Sequence, residues 1–168
     1  MKELLKAFVK LKYKVEVLTE QNTDEVFDLC KENKEYYSFL RQKPTKKGVK
    51  TIFTDLPPHS SIEKKHVLGF YDKEKLIAVL DLVEGYPYDG AVFIGLFILD
   101  VSVQGKGIGG QIINQLLICL RKKFDSCHLG VIKDNDKALL FWQKHGFFLT
   151  GEKYIHPKFI VVMMCKEL

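Results

Sequence analysis

One glycine-rich segment holds the residues whose types and spacing indicate chemistry most directly. Residues 104–110 read Gln-Gly-Lys-Gly-Ile-Gly-Gly, with four glycines in the last six positions. Backbone N–H groups in such a run are not covered by side chains. Where the run opens a helix, those amides lie at the positive end of the helix dipole and can together hold a phosphate group. The segment therefore predicts a site for a phosphate-bearing ligand.

The apolar patterns on either side place this loop between a strand and a helix. Upstream, residues 93–99 form a short apolar run of strand length. Downstream, apolar residues recur at helical spacing, at Ile108, Ile112, Ile113, Leu116, Leu117 and Leu120. The loop is therefore expected to join a buried strand to the first turn of a helix.

The rest of the chain supplies the elements that must position this unit. We predict strands at 13–18, 66–71, 76–84, 91–101, 127–132, 147–150 and 159–166. Helices are predicted from Thr23 with a break near Asn33, from Ile108, and from Asn135. Residues 41–62 are predicted as a loop with room for a short helix. This order predicts an α/β (α+β) fold, with a mixed sheet of about six or seven strands flanked by helices. We expect a single domain over 1–168, with residues 1–12 as an N-terminal extension.

Two common phosphate-binding motifs fit the chain poorly. Gly105, Gly107 and Gly110 satisfy the dinucleotide fingerprint, but the acidic residue expected about 20 residues later is missing from 127–132. The fingerprint also normally follows the first strand of its unit, whereas an antiparallel meander precedes these glycines. No phosphate loop of the Gly-x-x-x-x-Gly-Lys-Ser/Thr type occurs in the chain.

The chain resembles the GNAT family, the Gcn5-related N-acetyltransferases. The family's main motif, Gln/Arg-x-x-Gly-x-Gly/Ala, corresponds to residues 104–109. A second signature consists of an Asn, an Ala, an aromatic pair and Gly-Phe, found here as Asn135, Ala138, Phe141-Trp142 and Gly146-Phe147. Both signatures occur in the family's order and at its spacing, and the resemblance extends over about 13–166.

The resemblance implies acetyl-CoA as the cosubstrate and no metal. The amides of residues 105–110 would bind the pyrophosphate, the end of the 97–99 strand would pair with the pantetheine arm, and Asn135 would contact that arm from the other side. An amide near Leu99 could polarise the thioester carbonyl. The implied cofactor-binding residues are Phe97, Ile98, Leu99, Gln104, Gly105, Lys106, Gly107, Ile108, Gly109, Gly110, Asn135, Phe141 and Trp142. The resemblance also implies direct attack on the thioester, in a ternary complex, by a primary amine of a small molecule or peptide.

The chain departs from the family at two usual catalytic positions. Many relatives carry a Tyr that protonates the leaving thiolate where this chain has Trp142, and indole is not an acid. The strand before the glycines contains no acidic residue that could act as a base. Asp81, inside an apolar strand, and Glu84, at its end, are the candidate catalytic residues because a carboxylate among apolar residues is usually paired or functional. A non-catalytic acyl-CoA-binding module or sensor therefore stays open as an alternative.

Composition and charge limit the possible ligands and cellular location of the protein, but they do not identify the acceptor. The formal net charge is +5, and Arg41, Lys43, Lys46, Lys47 and Lys50 form the densest basic stretch. That stretch fits either a solvated, mobile loop or residues that steer a polyanionic ligand. Nucleic acid is not expected, because no aromatic residues alternate with these cations. No apolar run is long enough to span a membrane, and dispersed cysteines among apolar residues favour a cytoplasmic protein. A homodimer is left open.

Overall fold

Seven strands form one mixed sheet in the computed structural model, which describes residue 8 and residues 10–168. The spatial order is β1-β2-β3-β4-β5-β7-β6. Only β4 and β5 run parallel, and all other neighbours are antiparallel. The strands are β1 Lys14–Val17, β2 Lys65–Asp72, β3 Lys75–Glu84, β4 Ala91–Leu99, β5 Ser126–Ile132, β6 Phe148–Ile155 and β7 Ile160–Glu167.

Five α-helices accompany the sheet in this part of the chain. They are α1 Thr23–Glu32, α2 Lys34–Phe39, α3 Lys46–Thr54, α4 Ile108–Leu120 and α5 Asp136–Lys144. The predicted break near Asn33 separates α1 from α2. The loop predicted at 41–62 is interrupted by α3, whose start is fixed by the Thr45 hydroxyl accepting a bond from the Gly48 amide at 3.0 Å.

The helices cover the two faces of the sheet and create two cores. One core places Ile112 and Leu116 of α4 against even-numbered residues of β3, such as Leu80. The other places Val26 of α1 and Phe53 of α3 against Val79 and its neighbours. Because both faces are covered, β3 is buried almost continuously from end to end. Asp81 lies two residues after Val79 and faces the same side, the one covered by α1 and α3.

The two ends of the chain differ from the sequence-based boundaries. Strand β6 continues past the predicted end at residue 150 because Gly151, with a φ of 89°, lies where the β6–β7 register shifts. At the other end, the Phe8 ring is buried and packs edge-on against Phe70, with ring centroids 4.9 Å apart. The predicted extension 1–12 falls largely on residues 1–7 and 9, which lie outside the described residues.

Candidate active site

Strands β4 and β5 pair only over their first halves and then separate. Their register runs from Ala91 opposite Ser126 to Ile94 opposite Leu129. Beyond that point β4 remains paired with β3 and β5 with β7, so a cleft opens within the sheet. A bulge accompanies it, because the β3–β4 register shift leaves Gly95 without a partner residue. Residues 95–99 of β4 therefore form one wall of the cleft.

The glycine loop follows directly after this wall. Gly105 and Gly107 have φ values of 71° and 78°, a left-handed conformation that favours glycine. A Cβ atom on either residue would meet no atom within 4 Å, so both border open space. Gly107 immediately precedes α4, and no side chain caps that helix. The amides of its first turn are thus available to an anion.

The next two glycines serve packing instead. A Cβ on Gly109 would lie 3.4 Å from Leu99 and 3.5 Å from Phe141, and one on Gly110 would lie 3.1 Å from His145 Nε2. These glycines let α4 approach β4 and α5 closely. Of the other predicted loop residues, Lys106 is exposed and Ile108 is half-buried against the core. The loop therefore divides into an open part at 105–107 and a packed part at 109–110.

An aromatic cluster connects the cleft wall to α5. Phe97 lies 6.1 Å, between ring centroids, from both Phe141 and Trp142. Trp142 is only 7% exposed, and its ring also meets Phe147 edge-on at 5.1 Å. Trp142 is therefore a packing residue in this structure. Ile98 is buried in the opposite core, so only its backbone can contribute to the cleft.

Asn135, predicted to contact the cofactor, caps α5. Its Oδ1 atom accepts a bond from the Ala138 amide at 3.1 Å, which fixes the start of the helix that follows β5. This arrangement places Asn135 just beyond the β5 end of the cleft, while the cofactor contact itself stays a prediction.

Asn33 and Gln104 connect the helices to the end of β4 through hydrogen bonds. Asn33 is 4% exposed, and its Nδ2 donates to the Leu29 carbonyl at 2.9 Å and to the Leu99 carbonyl at 3.0 Å. Gln104 Nε2 donates to Asn33 Oδ1 at 2.8 Å and to the same Leu99 carbonyl at 3.0 Å. The first residue of the glycine motif is thus an anchor that fixes the loop against the α1–α2 corner.

Asp81 forms a buried ion pair beside the β4 bulge. Lys65 Nζ lies 2.8 Å from both carboxylate oxygens, and the two side chains are 3% and 9% exposed. Burial raises the pKa of Asp81 above its ordinary value, while the Lys65 ammonium opposes that rise. A Cβ atom on Gly95 would collide with Asp81 Oδ2. Glycine at the bulge therefore gives the carboxylate room next to the cleft wall.

Glu84, the second candidate, lies in a different environment. Its carboxylate pairs with His66 Nε2 at 2.9 Å and with Lys123 Nζ at 2.5 Å. Burial opposes ionisation of Glu84, but the bonds from Lys123 and His66 outweigh it and lower its pKa. Strand β3 places Glu84 opposite Val92, in the part of the sheet where β4 and β5 are still paired. The structure therefore brings Asp81, but not Glu84, to the cleft.

A cavity of about 510 Å³ adjoins the cleft on the face covered by α1 and α3. We call it the Asp81 cavity. Asp81, Gly95 and Leu96 contribute from the sheet, and burial raises the pKa of the lining Tyr36 to about 12. Its remaining lining residues are Tyr37, Leu40, Gln42, Lys43, Pro44, Thr45, Gly48, Thr51, Ile52 and Asp55. All ten come from segment 36–55, which includes the end of α2 and the whole of α3.

Sequence reasoning missed three polar residues of this region. Lys65 is the first residue of β2. Its proximity to Asp81 follows only from the β2–β3 register, in which the two residues are diagonal cross-strand neighbours. Two opposite charges in adjacent apolar strands were the available signal. The sequence marks Asn33 only as a break between helices. Asp55 follows α3, a helix to which the sequence assigns no bounds.

Neither a bilayer-spanning helix nor a metal cluster stands out among the described residues. None of their helices combines the length and apolar character needed to cross a bilayer. No group of three or more His, Cys, Asp or Glu side chains within residue 8 and residues 10–168 is arranged to hold a metal ion.

Comparison with known proteins gives a consistent result. The family described as "Acetyltransferase (GNAT) family" matches residues 24–147. The spermine/spermidine N(1)-acetyltransferase of Bacillus subtilis (strain 168) is 29% identical over 108 residues, which cover 60% of this chain and 69% of that protein. An acetyltransferase structure from Thermus thermophilus has a TM-score of 0.75 at 18% identity, covering 94% of this chain and 98% of that one.

A further solved structure contains coenzyme A. It is the PaiA N-acetyltransferase of Thermoplasma acidophilum in complex with coenzyme A, with a TM-score of 0.64 at 16% identity, covering 94% of this chain and 100% of that one. The matched family region includes the glycine loop and the Asn135–Phe147 signature. These findings confirm the predicted fold, the predicted family and the assignment to acetyltransferases rather than to dinucleotide-binding enzymes. The chain belongs to the GNAT family of acetyltransferases.

Proposed function

We propose that the protein transfers the acetyl group of acetyl-CoA to a primary amine of a small molecule, with the amine held in the Asp81 cavity. The observation that carries this proposal is the position of the cleft. The glycine loop follows its β4 wall on one side, and the Asp81 cavity shares Gly95 and Leu96 of that same wall. A thioester lying along the wall would thus be within reach of an amine in the cavity.

Backbone groups on the donor side suit acetyl-CoA. The open amides at 105–107 and the first turn of α4 suit a pyrophosphate, as the left-handed glycines and the uncapped helix indicate. Residues 95–99 have no partner on β5, so their outward backbone groups are available to an extended amide-containing arm. The pantetheine arm of CoA has that character. The coenzyme A complex of a structural neighbour supports the same donor.

Charge favours an amine on the acceptor side. Asp55 contributes a carboxylate that has no ion-pair partner among the described residues, and Asp81, whose charge Lys65 balances, lies against the wall. A carboxylate attracts an ammonium group. The names of the Bacillus subtilis relatives support an amine as the acceptor class. We propose Asp81 over Glu84 as the group that orients this amine and accepts its proton, because Asp81 lines the cavity beside the cleft wall and Glu84 does not.

The chemical step balances without a cofactor beyond the donor. The neutral amine nitrogen forms a bond to the acetyl carbon, the C–S bond breaks, and CoA leaves as a thiolate that takes up a proton. Trp142 cannot supply that proton, because it is buried in the aromatic cluster and indole is not an acid. Tyr36 lines the cavity, but burial raises its pKa to about 12, which makes it a weaker acid than a thiol, so the thiolate takes its proton from water.

The wider assignments rest on the sequence. We propose a cytoplasmic protein that acts as one domain, on the basis of its composition and of the dispersed cysteines. A homodimer, and partners that include neither nucleic acid nor a membrane, stay predictions.

The test is CoA-thiol release from acetyl-CoA in the presence of a panel of primary amines. We expect release above background hydrolysis with at least one amine. Asp81→Asn should reduce it at least tenfold, and the charge-balanced variant Lys65→Gln/Asp81→Asn separates that loss from misfolding. Asp72→Asn, which removes an exposed carboxylate outside the cavity, is the control and should behave as the wild type.

Two results would contradict the proposal. Acetyl-CoA that binds but supports no release with any amine would indicate a binding module instead. A loss of turnover in Glu84→Gln that exceeds the loss in the charge-balanced variant would transfer the assignment from Asp81 to Glu84.

A further inference from the structure

A second cavity, of about 630 Å³, lies beside the Asp81 cavity. We call it the basic cavity. It is lined by Lys31, Lys34, Tyr37, Ser38, Arg41, Gln42, Lys43 and Pro44. The two cavities share Tyr37, Gln42, Lys43 and Pro44, so they are adjacent along the end of α2 and the residues after it. No residue of the glycine loop lines either cavity.

The charge of the basic cavity is one-sided. Its lining includes four cations, Lys31, Lys34, Arg41 and Lys43, and no carboxylate. Lys31 is paired with Asp28 at 2.9 Å. No carboxylate among the described residues forms an ion pair with any of the other three cations. The basic cavity therefore presents three cations without an ion-pair partner, of which Lys43 also lines the adjacent Asp81 cavity.

The backbone at Arg41 has a conformation that glycine adopts more readily than arginine. Arg41 has a φ of 51°, and the Gln42 amide bonds back to the Tyr37 carbonyl at 3.3 Å while the Arg41 amide bonds to Ser38 at 3.0 Å. This is the Schellman ending of a helix, in which glycine is the usual residue. A left-handed residue with a Cβ costs about 1–2 kcal/mol. His59 and Lys73 also have positive φ values, so this conformation does not mark Arg41 as functional, but it means that glycine can replace Arg41 without backbone strain.

We propose that the acceptor is a small amine that also carries an anionic group, a carboxylate or a phosphate. The anion would lie in the basic cavity while the amine enters the Asp81 cavity. This inference rests on the proposed function, since it describes the acceptor of that reaction. It also gives a use to the basic stretch at 41–50, of which Arg41 and Lys43 line the cavity and Lys47 and Lys50 do not.

The inference predicts discrimination between matched amines. Phosphoethanolamine should be acetylated with a lower KM than ethanolamine, and β-alanine with a lower KM than propylamine. Spermidine, a polycation with no anionic group, should be a poorer acceptor than either anionic compound. The preference should weaken as the salt concentration rises, because the cations are solvent-accessible.

Arg41→Gly is the decisive variant because it removes the charge and places glycine in the left-handed position. Its melting temperature should equal or exceed that of the wild type. The ratio of the KM for phosphoethanolamine to the KM for ethanolamine should rise about tenfold, the effect of one lost charge-assisted contact. Lys47→Gln, which makes the same charge change on exposed α3, should leave this ratio unchanged.

The outcomes separate the inference from the function on which it rests. Preferred acetylation of spermidine would overturn the inference and leave N-acetylation of amines intact. An increase in the KM for acetyl-CoA in Arg41→Gly, with no change in the acceptor ratio, would assign the basic cavity to the donor. Calorimetric titration of the CoA-bound protein with phosphoethanolamine needs no turnover. Equal binding by the wild type and Arg41→Gly would overturn the inference by itself.

Discussion

The proposed donor side and the proposed acceptor side of the cleft are built from different chemical groups. On the donor side, the groups that face the cleft are backbone amides of the glycine loop and of an unpaired strand segment. On the acceptor side they are side chains, contributed by segment 36–55 and by Asp81. Backbone amides recognise features that every CoA ester shares, whereas side chains differ from one chain to another. We therefore expect the donor to be common to the family and the acceptor to be specific to this chain.

The largest expected effect comes from the buried ion pair beneath the acceptor side. Lys65→Met leaves the Asp81 carboxylate buried without its partner, and we expect a loss of about 3–5 kcal/mol in the free energy of unfolding. Urea denaturation measures it. Lys65→Met/Asp81→Leu should recover most of the stability, because it buries no lone charge, but should not recover amine acetylation. A loss below about 1 kcal/mol in the single variant would show that the pair is hydrated.

On the donor side, Gly107→Val should abolish the rise in melting temperature that acetyl-CoA produces. The β-branched side chain would occupy the open space in front of the amides and would strain the left-handed backbone by about 1–3 kcal/mol. Gly151→Val is the matched control, because Gly151 has a φ of 89° and equally open surroundings but lies in β6. Both variants should lose stability, and only the first should lose the response to acetyl-CoA.

Asn33→Ala should affect both sides at once. It removes two donated bonds and leaves the Leu99 carbonyl and Gln104 with fewer partners, a cost of about 1–3 kcal/mol. We expect KM to rise for acetyl-CoA and for the amine together. Asn135→Ala should lose about 0.5–2 kcal/mol as a helix cap and change only the donor KM. A donor-only effect of Asn33→Ala would contradict a shared anchor.

The smallest expected effect is on the pH dependence of stability, and it involves residues outside both sides of the cleft. Burial lowers the pKa of His66, and the bonds from Lys123 and His66 lower the pKa of Glu84. Both groups bind a proton more readily in the unfolded chain, so their contributions are complete above the unfolded pKa values and decrease as the pH falls through the folded ones. We expect stability to decline from about pH 6.5 downward. His66→Gln should flatten the upper part of that decline in denaturation curves recorded from pH 7 to 4.

Sequence reasoning succeeded where a local pattern determines the structure. Glycines between an apolar strand and a helical repeat identified the loop, and the alternation of apolar runs gave the sheet, because both depend on neighbouring residues. It failed where the cause is remote. Gly105 and Gly107 border open space, whereas Gly109 and Gly110 pack closely against other residues. This difference depends on where Leu99 and His145 lie in the fold. The roles of Lys65 and Asn33 depend on partners 16 and 66 residues away.

Four tyrosines show the same limit. Nothing in the sequence distinguishes Tyr36 and Tyr37 from Tyr86 and Tyr88 as residues that could line an acceptor pocket. Tyr36 and Tyr37 line the Asp81 cavity, whereas Tyr86 packs edge-on against Phe93 and Tyr88 bonds to Ser126. The difference arises because 85–90 lies where β4 and β5 are paired, and only the segment over the opening can reach the cleft.

The link between the two sides contains no charge. Asn33, Gln104 and the Leu99 carbonyl hold the α1–α2 corner, the glycine loop and the cleft wall together through amide groups alone. These amide contacts do not change with ionic strength or with pH across the physiological range, and the exposed Lys137–Glu35 pair between α5 and α2, at 2.6 Å, contributes little to the alignment. Changes in salt should alter how readily the two ligands are captured and leave the rate constant of acetyl transfer within the assembled complex unaffected.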